Sequence, residues 1–286
     1  MNKKSMATLA VIGGSGLYAM RELRDVRELR VRTPFGDPSD KVVLGRISGV
    51  PVAFLPRHGR KHTVLPGEIN QRANMWALKS LGVRTIISVS AVGSLRTGLA
   101  PTHFVFPDQF VDETKGRIST FFGGGIVGHV PLAEPFCAAL SGLMHKETLK
   151  LGIKSHLGGT YICMEGPGFS TKAESIYHRK MGYDIVGMTV ATEAKLAREA
   201  GFHYSPVSLV TDYDCWKEGE EVDQEKVIST LNKNIENIRR LLVKAIPPAA
   251  GAGCRTHCAD FIKTSVFTHK ENFSKKAYKG LKLIIG

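Results

Sequence analysis

Hydrophobic and polar positions along the chain follow two alternating rhythms. Short apolar, β-branched runs at residues 9–12, 52–55, 85–89, 161–164, 184–188 and 206–211 are each bounded by glycine, proline, hydroxyl or charged residues, which predicts buried strands. Between them the period lengthens to three or four. Ile69, Ala73, Trp76, Ala77 and Leu81 share one helical face and Gly82 follows, so residues 66–81 read as a helix with a glycine stop. Thr171, three residues ahead of Glu174, fits a capping box opening a helix that ends near Gly182. Residues 192–200, closed by Gly201, read as a further helix. Val227, Leu231, Ile235, Ile238 and Leu242 mark a long amphipathic helix over 223–246.

Strands alternating with helices imply an α/β fold, a single domain whose mixed central sheet is flanked by helices on both faces. No internal repeat, low-complexity tract or linker precedes Pro247-Pro248. Residues 1–248 are therefore expected to form one domain. Residues 249–286 are expected to be a basic C-terminal extension packing on or near it.

Composition narrows the function classes. At 286 residues, 43% hydrophobic and 23% charged, the chain has the make-up of a globular protein with a sizeable core. No apolar run reaches the roughly 18 residues of a membrane span. The apolar stretch after the basic start is cut by Gly13-Gly14-Ser15-Gly16 before it resembles a signal peptide. A cytoplasmic protein without a membrane partner is expected. The net charge of +13 invites a nucleic-acid reading. Its distribution argues otherwise: residues 249–286 carry seven Lys/Arg against two Asp/Glu, and the remaining charge is dispersed. No helix-turn-helix or aromatic RNA-binding motif accompanies it, so no nucleic-acid partner is expected, and the positive field suits small anionic substrates.

Cys137, Cys163, Cys215, Cys254 and Cys258 are odd in number and scattered, which is not a secreted disulfide framework. Cys254 and Cys258, with His257 between them, admit a partial metal site, a disulfide or two reduced tail thiols. A closed zinc site needs about four ligands and only three cluster here, so no metal is expected and reduced thiols are the reading kept.

In doubly covered sheets, ligands bind where strands give way to loops. The residues at those positions are Gly13-Gly14-Ser15-Gly16, Arg57-His58, Ser90-Ala91, Glu165-Gly166-Pro167, Met188-Thr189 and Asp212-Tyr213-Asp214. The glycine turn alone is also a tight turn, or the start of a dinucleotide fingerprint, but the next glycine is Gly36 and the fingerprint spacing fails. Arg57-His58 alone is also an ordinary surface pair. Together, a guanidinium fork, an imidazole, the hydroxyls of Ser15, Ser90 and Thr189 and nearby backbone N–H groups would cradle a tetrahedral oxyanion without a metal. Inorganic phosphate as co-substrate, with no cofactor, is the inference.

These residues carry a resemblance. Ile12-Gly-Gly-Ser-Gly-Leu17, Pro56-Arg-His-Gly59, Asn70-Gln-Arg-Ala-Asn74, Ser88-Val-Ser-Ala-Val-Gly-Ser94, Glu165-Gly-Pro167, Gly187-Met-Thr189 and Thr211-Asp-Tyr-Asp-Cys-Trp216 run in order from about residue 8 to 247. In this the chain resembles the methylthioadenosine phosphorylases, within the trimeric purine nucleoside phosphorylase group. The resemblance implies that Ser15, Arg57, His58, Ser90, Ala91 and Thr189 bind phosphate, that Met188 contacts the ribose and that Phe169 packs on the base. It implies a homotrimer in which His129 reaches a neighbouring subunit's site, and it places Thr171 and Val222 at positions of substrate choice. Two departures stand out: Gly168 replaces a usual arginine, and Ala191-Thr192 replaces a segment with proline, whereas Glu193 is kept.

The implied reaction is phosphorolysis of a purine nucleoside, with methylthioadenosine as substrate or, alternatively, adenosine or inosine-type nucleosides. Asp212 is the candidate acid for the leaving base, supported by Asp214. Carboxylates accept from the exocyclic amino group of adenine, whereas a 6-oxopurine presents an acceptor there and the resembling 6-oxopurine enzymes carry Asn. Asp212 and Asp214 are also plausible turn residues. A nucleosidase, with water in place of phosphate, is the rival enzyme.

Overall fold

The computed structural model describes residues 5–17, 20–219, 224–251, 254 and 258–286. Among them, eleven strands join in one mixed sheet. In chain order the elements are β1 (Leu9–Gly13), β2 (Arg24–Leu29), β3 (Val42–Ile47), β4 (Val50–Pro56), α1 (Gln71–Ser80), β5 (Thr85–Ser94), β6 (Phe104–Phe106), β7 (Gln109–Asp112), α2 (Ala138–Lys150), β8 (Ser155–Leu157), β9 (Thr160–Cys163), α3 (Lys172–Lys180), β10 (Ile185–Gly187), α4 (Val190–Glu199), β11 (His203–Asp212), α5 (Gln224–Gly251) and α6 (Lys275–Ile285). The main path is β2-β3-β4-β1-β5-β10-β9-β7, with β11 also pairing β5 and leading to β6 and β8.

Strand period two sorts each side chain to one of two cores. In β1, Leu9 and Val11 face one layer and Ala10 and Ile12 the other; in β4, Val52 and Phe54 alternate with Ala53 and Leu55. The first layer is closed by Leu140 and Met144 of α2 and Ile238 and Leu242 of α5. The second is closed by Met75 and Leu78 of α1, Ala194 and Leu196 of α4, and Leu281 and Ile284 of α6. Each fully buried Leu, Ile or Phe contributes about 1.5–3 kcal/mol, so both faces are sealed by burial rather than by turn chemistry. The C-terminal segment shares this second core, and Trp76 donates its indole N–H to the Gly280 carbonyl at 3.1 Å.

The structure shifts several expected boundaries. Helix α1 starts at Gln71 rather than 66, because Asn70 caps it by accepting from the Ala73 N–H at 3.1 Å; Pro66–Glu68 forms a separate 3-10 turn. Helix α5 runs on through Pro247 and Pro248, where a break was expected. The apolar stripe Leu242, Ala245, Ile246 and Ala249 remains buried across the prolines, and that packing outweighs the lost hydrogen bonds. Strand β2 carries the exposed pattern of an edge, and α2 mixes serine, glycine and histidine among its leucines, so neither gave a clear periodic signal.

Candidate active site

The site is built outward from β5. Strands β1 and β11 run parallel to it, and β4 runs parallel to β1 on its far side. The ends of β1, β4, β5 and β11 therefore open on one rim. Gly13 accepts the backbone N–H of Arg57 at 2.9 Å, which fixes the Arg57-His58 turn beside the Gly14–Gly16 loop. Ser15 begins a short 3-10 turn there; its side chain lies outside what the structure describes. Strand β10 is antiparallel to β5, with Val186 opposite Gly93, so Met188 and Thr189 return along β5 towards Ser90 and Ala91. On the other flank, Asp212 also pairs with Gly93, and a bulge between Val210 and Asp212 re-aims the carboxylate. Gly93 is required to be small: a Cβ there would sit 3.1 Å from both Asp212 Oδ1 and the Val186 side chain.

Arg57 is 3% exposed and Glu193 is fully buried. Arg57 Nε donates to Glu193 Oε1 and Nη2 to Glu193 Oε2 at 3.3 Å, while Nη1 donates to the Val89 carbonyl at 2.8 Å and Nη2 to Ser88 Oγ at 2.7 Å. Ser88 Oγ and the Tyr204 hydroxyl donate to Glu193 Oε2 at 2.7 and 2.9 Å. Burial opposes both charges, but their mutual attraction wins: the guanidinium is held above its usual range and the carboxyl below its own. Four of the five Arg57 N–H groups are spent on this network. What remains for a ligand is a fixed positive charge and one N–H on Nη1.

Around that charge sit groups without protein partners. Ser90 Oγ and Thr189 Oγ1 are buried and make no hydrogen bond, although buried hydroxyls normally find one. Thr189 is the N-cap residue of α4, yet its side chain does not cap the helix. His58 is half-buried, and its Nδ1 lies 2.8 Å from the Val64 carbonyl. A carbonyl only accepts, so Nδ1 carries the proton and the neutral ring keeps Nε2 as an acceptor. Burial pushes its pKa down, favouring that neutral form.

Asp212 Oδ2 accepts from the Thr211 hydroxyl at 2.7 Å and Oδ1 from the Asp214 N–H at 2.8 Å, and burial raises its pKa despite those bonds. Asp214 has φ 53°, is 6% exposed, and its Oδ2 is buried with no partner. The local turn expected of these aspartates exists, and it leaves one carboxylate oxygen uncommitted.

The surroundings of the other expected residues differ. Met188 is half-buried, its sulfur 2.5 Å from a Cβ built at Gly166, so only glycine fits there; its carbonyl accepts from Arg117. Phe169 is 76% exposed. The Thr171 hydroxyl is engaged in the capping box with Glu174. His129 is exposed, its N–H bonded to the Ser265 carbonyl at 2.9 Å and its ring set edge-on to Phe267. Val222 lies outside the described residues. Tyr204, Gln71 and Arg117 were missed by sequence reasoning. Arg117 holds Glu165 through Nε at 3.1 Å and, with Gln71 and Thr192, lines a cleft of about 340 Å³ beside Glu193.

Residues 8–247 match the phosphorylase superfamily. The chain is 50% identical to the S-methyl-5′-thioadenosine phosphorylase of Koribacter versatilis, covering 98% of this chain and 96% of that one. It superposes on a methylthioadenosine phosphorylase from an antarctic soil metagenomic library with a TM-score of 0.95 at 43% identity, covering 99% and 100% of the two chains. The methylthioadenosine phosphorylase of Schistosoma mansoni in complex with adenine gives a TM-score of 0.82 at 36% identity, over 88% and 95%. The chain thus belongs to the phosphorylase superfamily and, within it, to the family of the S-methyl-5′-thioadenosine phosphorylases.

Proposed function

We propose that the protein cleaves S-methyl-5′-thioadenosine with inorganic phosphate, giving adenine and 5-methylthioribose 1-phosphate. The observation that carries this reading is the pair of buried, unpartnered hydroxyls, Ser90 and Thr189, flanking the fixed charge of Arg57. A phosphate oxygen placed there satisfies both, and Ser15 and the Ala91 N–H complete the cradle. Neutral His58 accepts from a protonated phosphate oxygen through Nε2. Phosphate then attacks C1′ as the C–N bond to the base breaks, the anion stabilising the oxocarbenium-like transition state at close range. Met188 lines the ribose, and Phe169 closes over the base from its exposed position. Asp212 delivers the proton near N7, and the free oxygen of Asp214 accepts from the exocyclic amine. Thr171 and Val222 tune the 5′ pocket. The working form is a cytoplasmic homotrimer without an organic cofactor, His129 completing a neighbour's site.

The deciding experiment measures phosphate-dependent base release from methylthioadenosine, adenosine and inosine side by side. Methylthioadenosine is expected to give the highest kcat/KM, with no turnover in the absence of phosphate. Base release at full rate without phosphate would make the protein a nucleosidase, and preference for inosine would make it a 6-oxopurine enzyme.

A further inference from the structure

Four side chains from three distant parts of the chain converge at the opposite end of β11 from Asp212. Cys137 is the N-cap residue of α2, His203 opens β11, and Cys254 and Cys258 follow α5. Their Sγ atoms and one imidazole nitrogen all lie within 4.8 Å of one another. Cys137 and Cys254 are 3.6 Å apart at sulfur, Cys254 and Cys258 3.5 Å, and the described cysteines form no disulfide. The local cluster considered in the sequence had three members including His257, which lies outside the described residues. The fold supplies the missing ligands from positions far away in the chain.

We propose that Cys137, His203, Cys254 and Cys258 form a closed, tetrahedral zinc site. The donor set is the first argument: three sulfurs and one imidazole suit zinc, and four protein ligands leave no open position. The spacing is the second. Zinc–sulfur bonds of about 2.3 Å at tetrahedral angles place sulfurs about 3.8 Å apart, and the two measured separations fall a few tenths of an ångström short of that. The third is an orphan: Nδ1 of His203 is buried and makes no hydrogen bond. The side chain of Cys137 likewise makes no capping bond to its own helix. Binding is ligand exchange without redox change. Three thiols lose their protons to solvent, the imidazole binds neutral, and one divalent cation enters.

The site is structural. His203 and Asp212 stand at the two ends of a ten-residue strand, roughly 30 Å apart, so the metal does not touch the chemistry. It clasps the C-terminal segment as it leaves α5, before that segment sets the Ser265 carbonyl on the N–H of His129 and docks α6 on α1. Such a clasp fixes where the tail begins.

The test is zinc content of the full-length protein, purified reduced and without chelators, together with cobalt uptake by protein stripped of metal. About one zinc per chain is expected, released by a thiol-directed mercurial. Cobalt is expected to give the intense visible bands of tetrahedral thiolate coordination. His203→Ala and Cys258→Ser should each lose the metal and lower the melting temperature, with kcat/KM unchanged at moderate temperature. Should a variant fail to fold, cobalt uptake by the wild type still decides. Wild-type protein with no stoichiometric zinc and no thiolate–cobalt bands overturns the proposal. So does an unreduced, denatured chain lighter by a pair of hydrogens, which would mean that two of these sulfurs form a disulfide.

Discussion

The carboxylate of Glu193 holds the guanidinium of Arg57 through two nitrogens, 136 positions away in the chain and out of contact with solvent. The pair links β4 to the first turn of α4, and through Ser88 and Val89 it ties both to β5. Removing one partner strands a buried charge, which costs about 3–5 kcal/mol. Glu193→Gln is therefore expected to lower the unfolding free energy by about that amount and to raise the KM for phosphate, because Arg57 loses its fixed orientation. Chemical denaturation with phosphate titrations checks both, and a loss below about 1 kcal/mol would show that the pair does not hold the rim together.

Asp212 and Asp214 read the base in the proposed reaction. Asp212→Asn replaces a carboxyl, which becomes acceptor-only once it gives up its proton, with an amide that always donates, which suits a 6-oxopurine better. The ratio of kcat/KM for methylthioadenosine to that for inosine is expected to fall at least tenfold, about 1.4 kcal/mol. An unchanged ratio would remove Asp212 from base recognition.

Burial also couples Asp212 to stability. Its folded pKa is raised, so the folded state holds the proton more tightly than the unfolded chain does. The stability it contributes is full below the unfolded aspartate pKa and is lost as pH rises through the higher folded value. Asn does not titrate. The difference in unfolding free energy, Asp212→Asn minus wild type, should therefore become more positive as pH rises from below the unfolded aspartate pKa through the raised folded one. Carboxyls remote from Asp212 cancel in that difference, and only its neighbour Asp214 is coupled to it. A flat difference across denaturation curves at several pH values would contradict the raised pKa.

How much of this was legible in the sequence depends on the range of the interaction. The strand ends could be read because the apolar runs of β1, β4, β5 and β11 are local, and because the glycines and hydroxyls that follow are adjacent in sequence. The capping box at Thr171 and Glu174 was legible for the same reason. The partners of Arg57 were not: Glu193, Tyr204 and Ser88 meet it only after the sheet forms. Nor could the sequence show that burial carries α5 through Pro247. The Cys137–His203–Cys254–Cys258 cluster lay beyond any local window because its ligands are assembled by topology.

Ser90 and Thr189 offer the sharpest test of the phosphate cradle, because ligand-binding and structural roles predict opposite signs. A buried hydroxyl that bonds within the protein stabilises it by about 1 kcal/mol, so removing it destabilises the apo form. These two have no protein partner, and in the apo protein each bears its desolvation cost uncompensated. Ser90→Ala and Thr189→Val are therefore expected to leave apo stability unchanged or slightly higher. The stabilisation that phosphate gives wild type, about 2.7 kcal/mol at a hundred times its Kd, should shrink in both variants at the same phosphate concentration. Thermal denaturation with and without phosphate measures the two quantities in one experiment. Variants that lose apo stability yet keep the full phosphate shift would assign these hydroxyls to the scaffold and move the anion elsewhere on the rim.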